Sequence, residues 1–492
     1  MGICCGVVKQ TQRPMKIPPL IQDLFLCERT FSTARKTKSL FAAISGLALC
    51  CACQNVSAQT TSSWITETVT TGGTINWDTS GKWTPATPVS GIGTVNLNFG
   101  GLTATTSALT LRNNIGSFNV HEMTLGSASG VNITYNGTAT SWVQDGSSNN
   151  PKIVLNNTGG GNNIINLNSS VASGVTLQVT GTSNRLITMG GVVSGAGGVN
   201  LNYSSGTFQA TGLGTYSGNF TLTAGIVALD GSSVGSPGSV TSGPLGTGSV
   251  IINGGTIRGT GTTTARTIGN NVQIGGDFTV GAATNNPSVT LAGTTLLTGT
   301  GVTRTITGGF SGTESVNTNG LTFSGNITEA GAGNSLVFAN SAATKIVLSG
   351  INTYTGNTTV NGGNMTLADN AGLKFVIGAN GVNNQLAGNG TVTLGGDFTF
   401  DLSGAGTTLN DSWNIVNVAS LTETFGSTFS VNGFSDIGGN LWEVTNVNGG
   451  RTYQFSEASG LLSVTAIPEP STWALLVGGL MAVKLFCRRR QA

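Results

Sequence analysis

Residues 350–368 read GINTYTGNTTVNGGNMTLA, and the rest of the chain makes most sense as an array of units like this one. Ile351 and a turn around Tyr354 lead into a short β-branched run at 358–360. Asn361-Gly362-Gly363 supplies a reversal, because Asn and Gly tolerate the left-handed backbone angles that a tight turn needs. Residues 365–367 form the next short strand. A unit of this kind has an apolar stripe that it cannot bury alone, so it needs a copy of itself above and below.

A copy is present. Residues 212–229 read GLGTYSGNFTLTAGIVAL. Shifted by 138 positions, Gly212, Thr215, Tyr216, Gly218, Asn219, Thr221, Gly225 and Leu229 fall on Gly350, Thr353, Tyr354, Gly356, Asn357, Thr359, Gly363 and Leu367. A second phrase, GGDFT at 275–279, recurs at 395–399. The stretch 350–368, with Gly350, Asn352, Tyr354, Gly356, Thr359, Gly363 and Leu367 at the marked positions, resembles the autotransporter-associated β-strand repeat. That resemblance implies a right-handed parallel β-helix on a cell surface and no enzymatic activity.

The bulk composition agrees with a repetitive β-structure. The chain has 492 residues, 76 of them Gly, and only 8% are charged, against roughly 25% in ordinary globular proteins. Disordered chains combine high net charge with few β-branched residues, and this chain has neither property. Its net charge of +2 hides a pattern. Residues 1–58 carry seven Lys/Arg against two acids and the last 25 carry four against one, leaving ten against sixteen in the middle. Without clustered Lys/Arg to displace counterions, nucleic acid is excluded as a partner. The cysteines are 4, 5, 27, 50, 51, 53 and 487. The body between them therefore holds no disulfide framework, no thiol nucleophile and no Cys-ligated metal.

Residues 1–58 read as a secretory signal with a long basic leader. Arg35, Lys36 and Lys38 precede an apolar run at 40–53, and Val56-Ser57-Ala58 places small residues for a cut between Ala58 and Gln59. The run is short for a membrane span of about 20 residues. Passage through a secretion translocon follows from this reading. Residues 59–91 contain Trp64, Trp77 and Trp83 and are expected to cap the open end of the stack. Carbohydrate stacking on exposed Trp is the alternative.

From 92 to 405 short runs such as VNLNF and VTLQV alternate with Gly and Asn turns, the period of two expected of strands with one buried face. The predicted architecture is all-β: a right-handed parallel β-helix with an N-terminal cap and a C-terminal β-module at 406–465. Coils of about 20 residues would give roughly 20 rungs at about 4.8 Å each. The Asn pairs 156-157, 162-163, 270-271 and 383-384 are expected either to stack as amide ladders or to occupy left-handed turns.

The tail, 467–492, is read as a single transmembrane helix with a basic flank. Pro468-Glu469-Pro470 precedes an apolar stretch at 473–486 and then Arg488, Arg489 and Arg490. This three-part ending resembles the PEP-CTERM sorting signal of Gram-negative bacteria that make exopolysaccharide. The resemblance implies recognition by an exosortase-type transpeptidase, transient anchoring in the inner membrane, and release or re-anchoring at the outer surface or in the extracellular matrix. An autotransporter would end instead in amphipathic barrel strands of about 10 residues, which the sequence lacks.

Catalytic chemistry finds little to work with, and no cofactor is expected. The single histidine, His121, sits mid-strand with no nucleophile motif and is expected to be partly exposed. Asp277 and Asp397 occupy equivalent places in the repeated GGDFT phrase, so they read as turn residues, with Asp401 isolated nearby. Two functions compete. One is a non-enzymatic structural or adhesive surface protein associated with exopolysaccharide. The other is a β-helical polysaccharide lyase or hydrolase, which requires converging carboxylates.

Overall fold

The computed structural model describes residues 60–466, apart from 66, 70–72, 90–93, 101, 105–107, 127–130, 145–148, 157–158, 212, 262–263, 282–286, 311–319 and 342–343. Among the described residues the fold is all-β and holds no helix. The expected tail helix lies outside them, and no described helix is long and apolar enough to cross a membrane.

Most strands are three to six residues long and bury alternate side chains. Thr94–Phe99, Lys152–Leu155 and Lys345–Leu348 each send every second residue inward. These strands stack in parallel ladders. In the first, Leu97, Met123, Ile153, Val179, Leu201, Leu222, Ile252, Ile274 and Leu297 pair successively. All nine are buried, forming one apolar column. A second ladder takes in Leu111, Tyr135, Ile165, Met189, Ala210 and Leu229. A third runs through Ile268, Leu291, Phe323, Leu348, Leu367, Leu394 and Phe425. Each fully buried aliphatic or aromatic side chain contributes about 1.5–3 kcal/mol. The stack is therefore stabilised by columns that no single unit possesses.

The chain returns to each ladder after a variable step, not a fixed 20 residues. Val199 pairs with Phe220 and Ile351 with Gly372, but Thr295 pairs with Ile327 and Asp397 with Ser430. Extra residues are accommodated between strands. The clearest case follows Phe220–Leu229, where Val234–Ser236 and Ser239–Ser242 form an antiparallel hairpin. Its base substitutes for a missing strand of the third ladder: Ser233 N–H donates to Thr267 O at 2.8 Å, and Thr267 N–H donates to Ser232 Oγ at 3.0 Å.

The two ends are closed by aromatic side chains. Parallel pairing begins already at Thr60, and Trp64, Trp77 and Trp83 pack around Phe99 with ring centroids 6.0, 5.5 and 5.3 Å from it. All three indoles are buried, so none offers a face for stacking on a sugar. At the other end a five-stranded antiparallel sheet covers residues 412–466, in the order Ser412–Asn414, Leu461–Ala466, Arg451–Ser456, Leu441–Val447, Ser435–Asp436. Phe398, Phe425, Phe429 and Phe455 pack edge to face beneath it.

Two local expectations change. His121 is buried, not partly exposed. Val95 pairs with Val120 and Asn96 with Glu122, so His121 is the extra residue of a β-bulge. Its ring Nδ1 lies 3.4 Å from Val143 O. The described Asn residues at the paired positions do not occupy left-handed turns, and the carboxamides of Asn162, Asn270, Asn271, Asn383 and Asn384 bond mainly to backbone. Asn162 Oδ1 accepts from Leu186 N–H and Asn271 Oδ1 from Thr294 N–H. Among the described residues the left-handed Asn are Asn370, Asn410, Asn440, Asn446 and Asn448.

Candidate functional site

The repeat residues are placed as inter-coil contacts. Tyr354 is buried, and its hydroxyl lies 2.5 Å from Thr358 Oγ1. Burial pushes the Tyr354 phenol up to about 12, a rise that the Thr358 bond partly opposes. Asn352 is buried and joins three successive coils. Its Oδ1 accepts from Ile327 N–H at 3.1 Å, and its Nδ2 donates to Gly350 O and Gly372 O, both at 2.9 Å. Gly356 lies against the preceding coil, where a Cβ would meet Asn334 O at 2.3 Å. Gly363 is left-handed, with φ 61°. Thr359 sits in the strand Thr358–Asn361, and Leu367 is buried in the third ladder. None of these residues converges on a groove.

The acids are likewise dispersed into local bonds. Asp277 Oδ1 accepts from Thr305 N–H at 2.8 Å, and Asp397 Oδ1 accepts from Ser430 Oγ at 2.6 Å. Asp401 accepts from Ser403 and pairs with Lys374 Nζ at 3.1 Å, and these contacts hold its carboxyl below the usual range. Glu329 accepts from Thr355 N–H and Oγ1. Among the described residues no group of three or more His, Cys, Asp or Glu is placed to hold a metal ion. A small apolar cavity of about 20 Å³ lies between Met189, Val193, Phe208, Ala210, Gly214 and Tyr216. It has room for roughly one water.

The remaining candidate is the place where the folded body gives way to the tail. The strand Leu461–Ala466 is held on both sides. Trp413 pairs with Leu462 on one side, and Tyr453 pairs with Val464 on the other. Val464 N–H donates to Asp411 O at 2.9 Å, and Asn410 N–H donates to Val464 O at 3.0 Å. Beyond Val464 the register with the neighbouring strand slips between Thr452 and Tyr453, and Ala466, the last described residue, pairs with Thr452. The strand reads in sequence as one more apolar alternation. Its role as the junction becomes visible only from its partners, which lie some 50 residues upstream at Ser412–Asn414.

Residues 466–490 match the family model of the PEP-CTERM protein-sorting motif. The chain carries a PEP-CTERM sorting tail. Such a tail implies an exosortase-sorted, secreted protein directed to the cell surface. The match begins at Ala466, so the PEP-CTERM motif starts on a residue that is still paired in the sheet. Pro468, Glu469, Pro470, Arg488, Arg489 and Arg490, with the leader residues Ala58 and Gln59, lie outside the described residues. No curated protein and no solved structure matches the chain.

Proposed function

We propose that this is a non-enzymatic structural or adhesive protein, displayed at the surface or in the extracellular matrix of a Gram-negative, exopolysaccharide-producing bacterium. The observation that carries the reading is the PEP-CTERM tail joined directly to an all-β body. In this reading the three ladders are the faces of a right-handed parallel β-helix built from autotransporter-associated repeats. Parallel strands joined by crossovers favour the right-handed connection almost without exception, and the echo at 212–229 and 350–368 supports the repeat. The leader is cut between Ala58 and Gln59 after passage through the translocon, and the tail anchors the chain in the inner membrane until an exosortase-type transpeptidase acts on it. The polysaccharide-lyase reading has no observation in its favour: the carboxylates serve turns and neighbouring coils, and a lyase or hydrolase needs them brought together.

The test is processing in a host that carries the sorting enzyme. Mass spectrometry of both mature termini should find a chain that begins at Gln59 and lacks the apolar tail. Changing Pro468 and Pro470 to Ala should leave the tail on the protein and the protein in the membrane fraction. Normal removal of the tail from that variant would sink the sorting claim.

A further inference from the structure

The tail and the body share a residue, and this sets a conflict. The PEP-CTERM match starts at Ala466, which is still paired with Thr452. Pro468 is two residues further on, a reach of at most about 7 Å. An enzyme that cuts or transfers a peptide holds it extended and pairs with its backbone N–H and C=O groups, as in strand addition. Val464 and Ala466, shortly upstream, are already paired in the sheet. Val464 has its N–H on Asp411 O and its C=O on Asn410 N–H along one edge, and it lies opposite Tyr453 on the other. It cannot enter an enzyme cleft while the sheet is intact. Ala466 is different, because among the described residues it pairs with Thr452 alone, and it lies beyond the register slip at Thr452/Tyr453. A strand end past a bulge with a single partner is the cheapest part of a sheet to open.

We infer that the end of the strand Leu461–Ala466 must unpair from Thr452 before the sorting enzyme can process the tail, so that the C-terminal sheet limits the rate of sorting. The inference rests on the proposal that the tail is an exosortase substrate. The sheet acts as a brake of fixed strength, with the break point set between Val464 and Ala466. The folded body is therefore presented to the membrane enzyme on a short tether, and each processing event waits for the strand end to fray.

The experiment is a pulse-chase of the full chain in a host with the sorting enzyme, reading the precursor-to-mature ratio. Inserting eight Gly/Ser residues between Ala466 and Ile467 lengthens the tether without touching any paired strand. Processing should accelerate at least threefold. In a Cys487→Ser background, Thr452→Cys with Ala466→Cys joins the last pair covalently. Processing of that variant should slow at least fivefold when oxidised and recover on adding reductant, with the same protein serving as its own folding control. Adding the insertion to the crosslinked variant should restore processing without reductant. An insertion that leaves the rate unchanged or lowers it overturns the inference, and so does a crosslink without effect. If the unaltered chain keeps its tail, the failure belongs to the sorting proposal instead.

Discussion

The two copies of the repeat, at 212–229 and 350–368, are built alike at their turns and differ in how they are filled. Gly218 and Gly356 both press on the preceding coil, where a Cβ would come within 2.4 and 2.3 Å of its backbone. Gly225 and Gly363 are both left-handed. Asn219 and Asn357 each accept a backbone N–H from the following coil, from Ser249 at 3.2 Å and Gln385 at 2.9 Å. Thr215 N–H donates to Val193 O, and Thr353 N–H donates to Ile327 O. The interiors then diverge. The later copy has Asn352 joining three coils, where the earlier has Gly214, which instead bridges Gly243 beside the inserted hairpin. The later copy gives Tyr354 a hydroxyl partner in Thr358, where the earlier has Phe220. The apolar cavity adjoins Tyr216 and Gly214 in the earlier copy. Turn geometry is therefore what the repeat preserves, and packing is what each coil settles with its neighbours.

The largest expected effect is at the two tyrosines. Tyr354→Ala should destabilise the body by about 3–5 kcal/mol, the cost of truncating a buried aromatic. Tyr216→Ala should cost less, because one side of its ring already faces a void and makes fewer contacts. Urea unfolding of the two variants measures the difference, and equal losses would break the claim that the copies are packed differently. Next comes Asn352→Gly, which gives the later copy the earlier one's residue. Three buried hydrogen bonds disappear at about 1 kcal/mol each, so a loss of about 3 kcal/mol is expected. A loss well under 1 kcal/mol would mean that the three coils are held by their ladders alone.

Alkaline titration compares the same tyrosines more finely. Both phenols are raised by burial, and only Tyr354 has a hydroxyl bond opposing the rise. A folded-state value above the unfolded one means that stability is intact below the ordinary phenol value of 10.0 and is lost as pH climbs through the folded value, about 12 for Tyr354. At about 1.4 kcal/mol per pH step, that window removes about 3 kcal/mol. Tyr354→Phe should flatten the alkaline limb between pH 10 and 12. Tyr216→Phe should flatten it further and to higher pH. A limb unchanged by either substitution would show that other groups drive alkaline unfolding.

These contrasts also show what was legible beforehand. The turn residues could be read because the 138-residue echo copies them: Gly218 with Gly356, and Gly225 with Gly363. Strands could be read from their period of two, since one face of each is buried. Coil length could not, because the hairpin Val234–Ser236 with Ser239–Ser242 uses the same short Ser, Val and Gly phrases as the ladders themselves. Asn352 gave no sign of joining coils. Its partners at Ile327 and Gly372 lie in neighbouring units at unequal distances along the chain. His121 looked like an ordinary strand position, because a bulge is a property of the pair of strands and not of either one. The tail was legible from Pro468-Glu469-Pro470 and the arginines alone. Its attachment was not, because the pairing of Val464 depends on Asp411 and Tyr453, far back in the chain.

The smallest expected effect is the most direct test of the comparison. Val193 and Ile327 occupy equivalent places, each accepting the N–H of the repeat threonine that follows one coil later. Both are buried, but Val193 lines the cavity and Ile327 is fully buried. Val193→Ile adds one methylene to a space of about 20 Å³, close to what that space can hold. Burying it should raise stability by about 0.8 kcal/mol. The reverse change, Ile327→Val, should lower stability by about 0.5–1.5 kcal/mol by opening a void at the equivalent place one coil before the later copy. Opposite signs for the two substitutions, measured as shifts in urea midpoint at unchanged slope, would show that one missing methylene accounts for part of the difference between the copies. If Val193→Ile is destabilising, the cavity is shaped by the hairpin and Gly214 instead, and filling it from the Val193 side forces Tyr216 out of place.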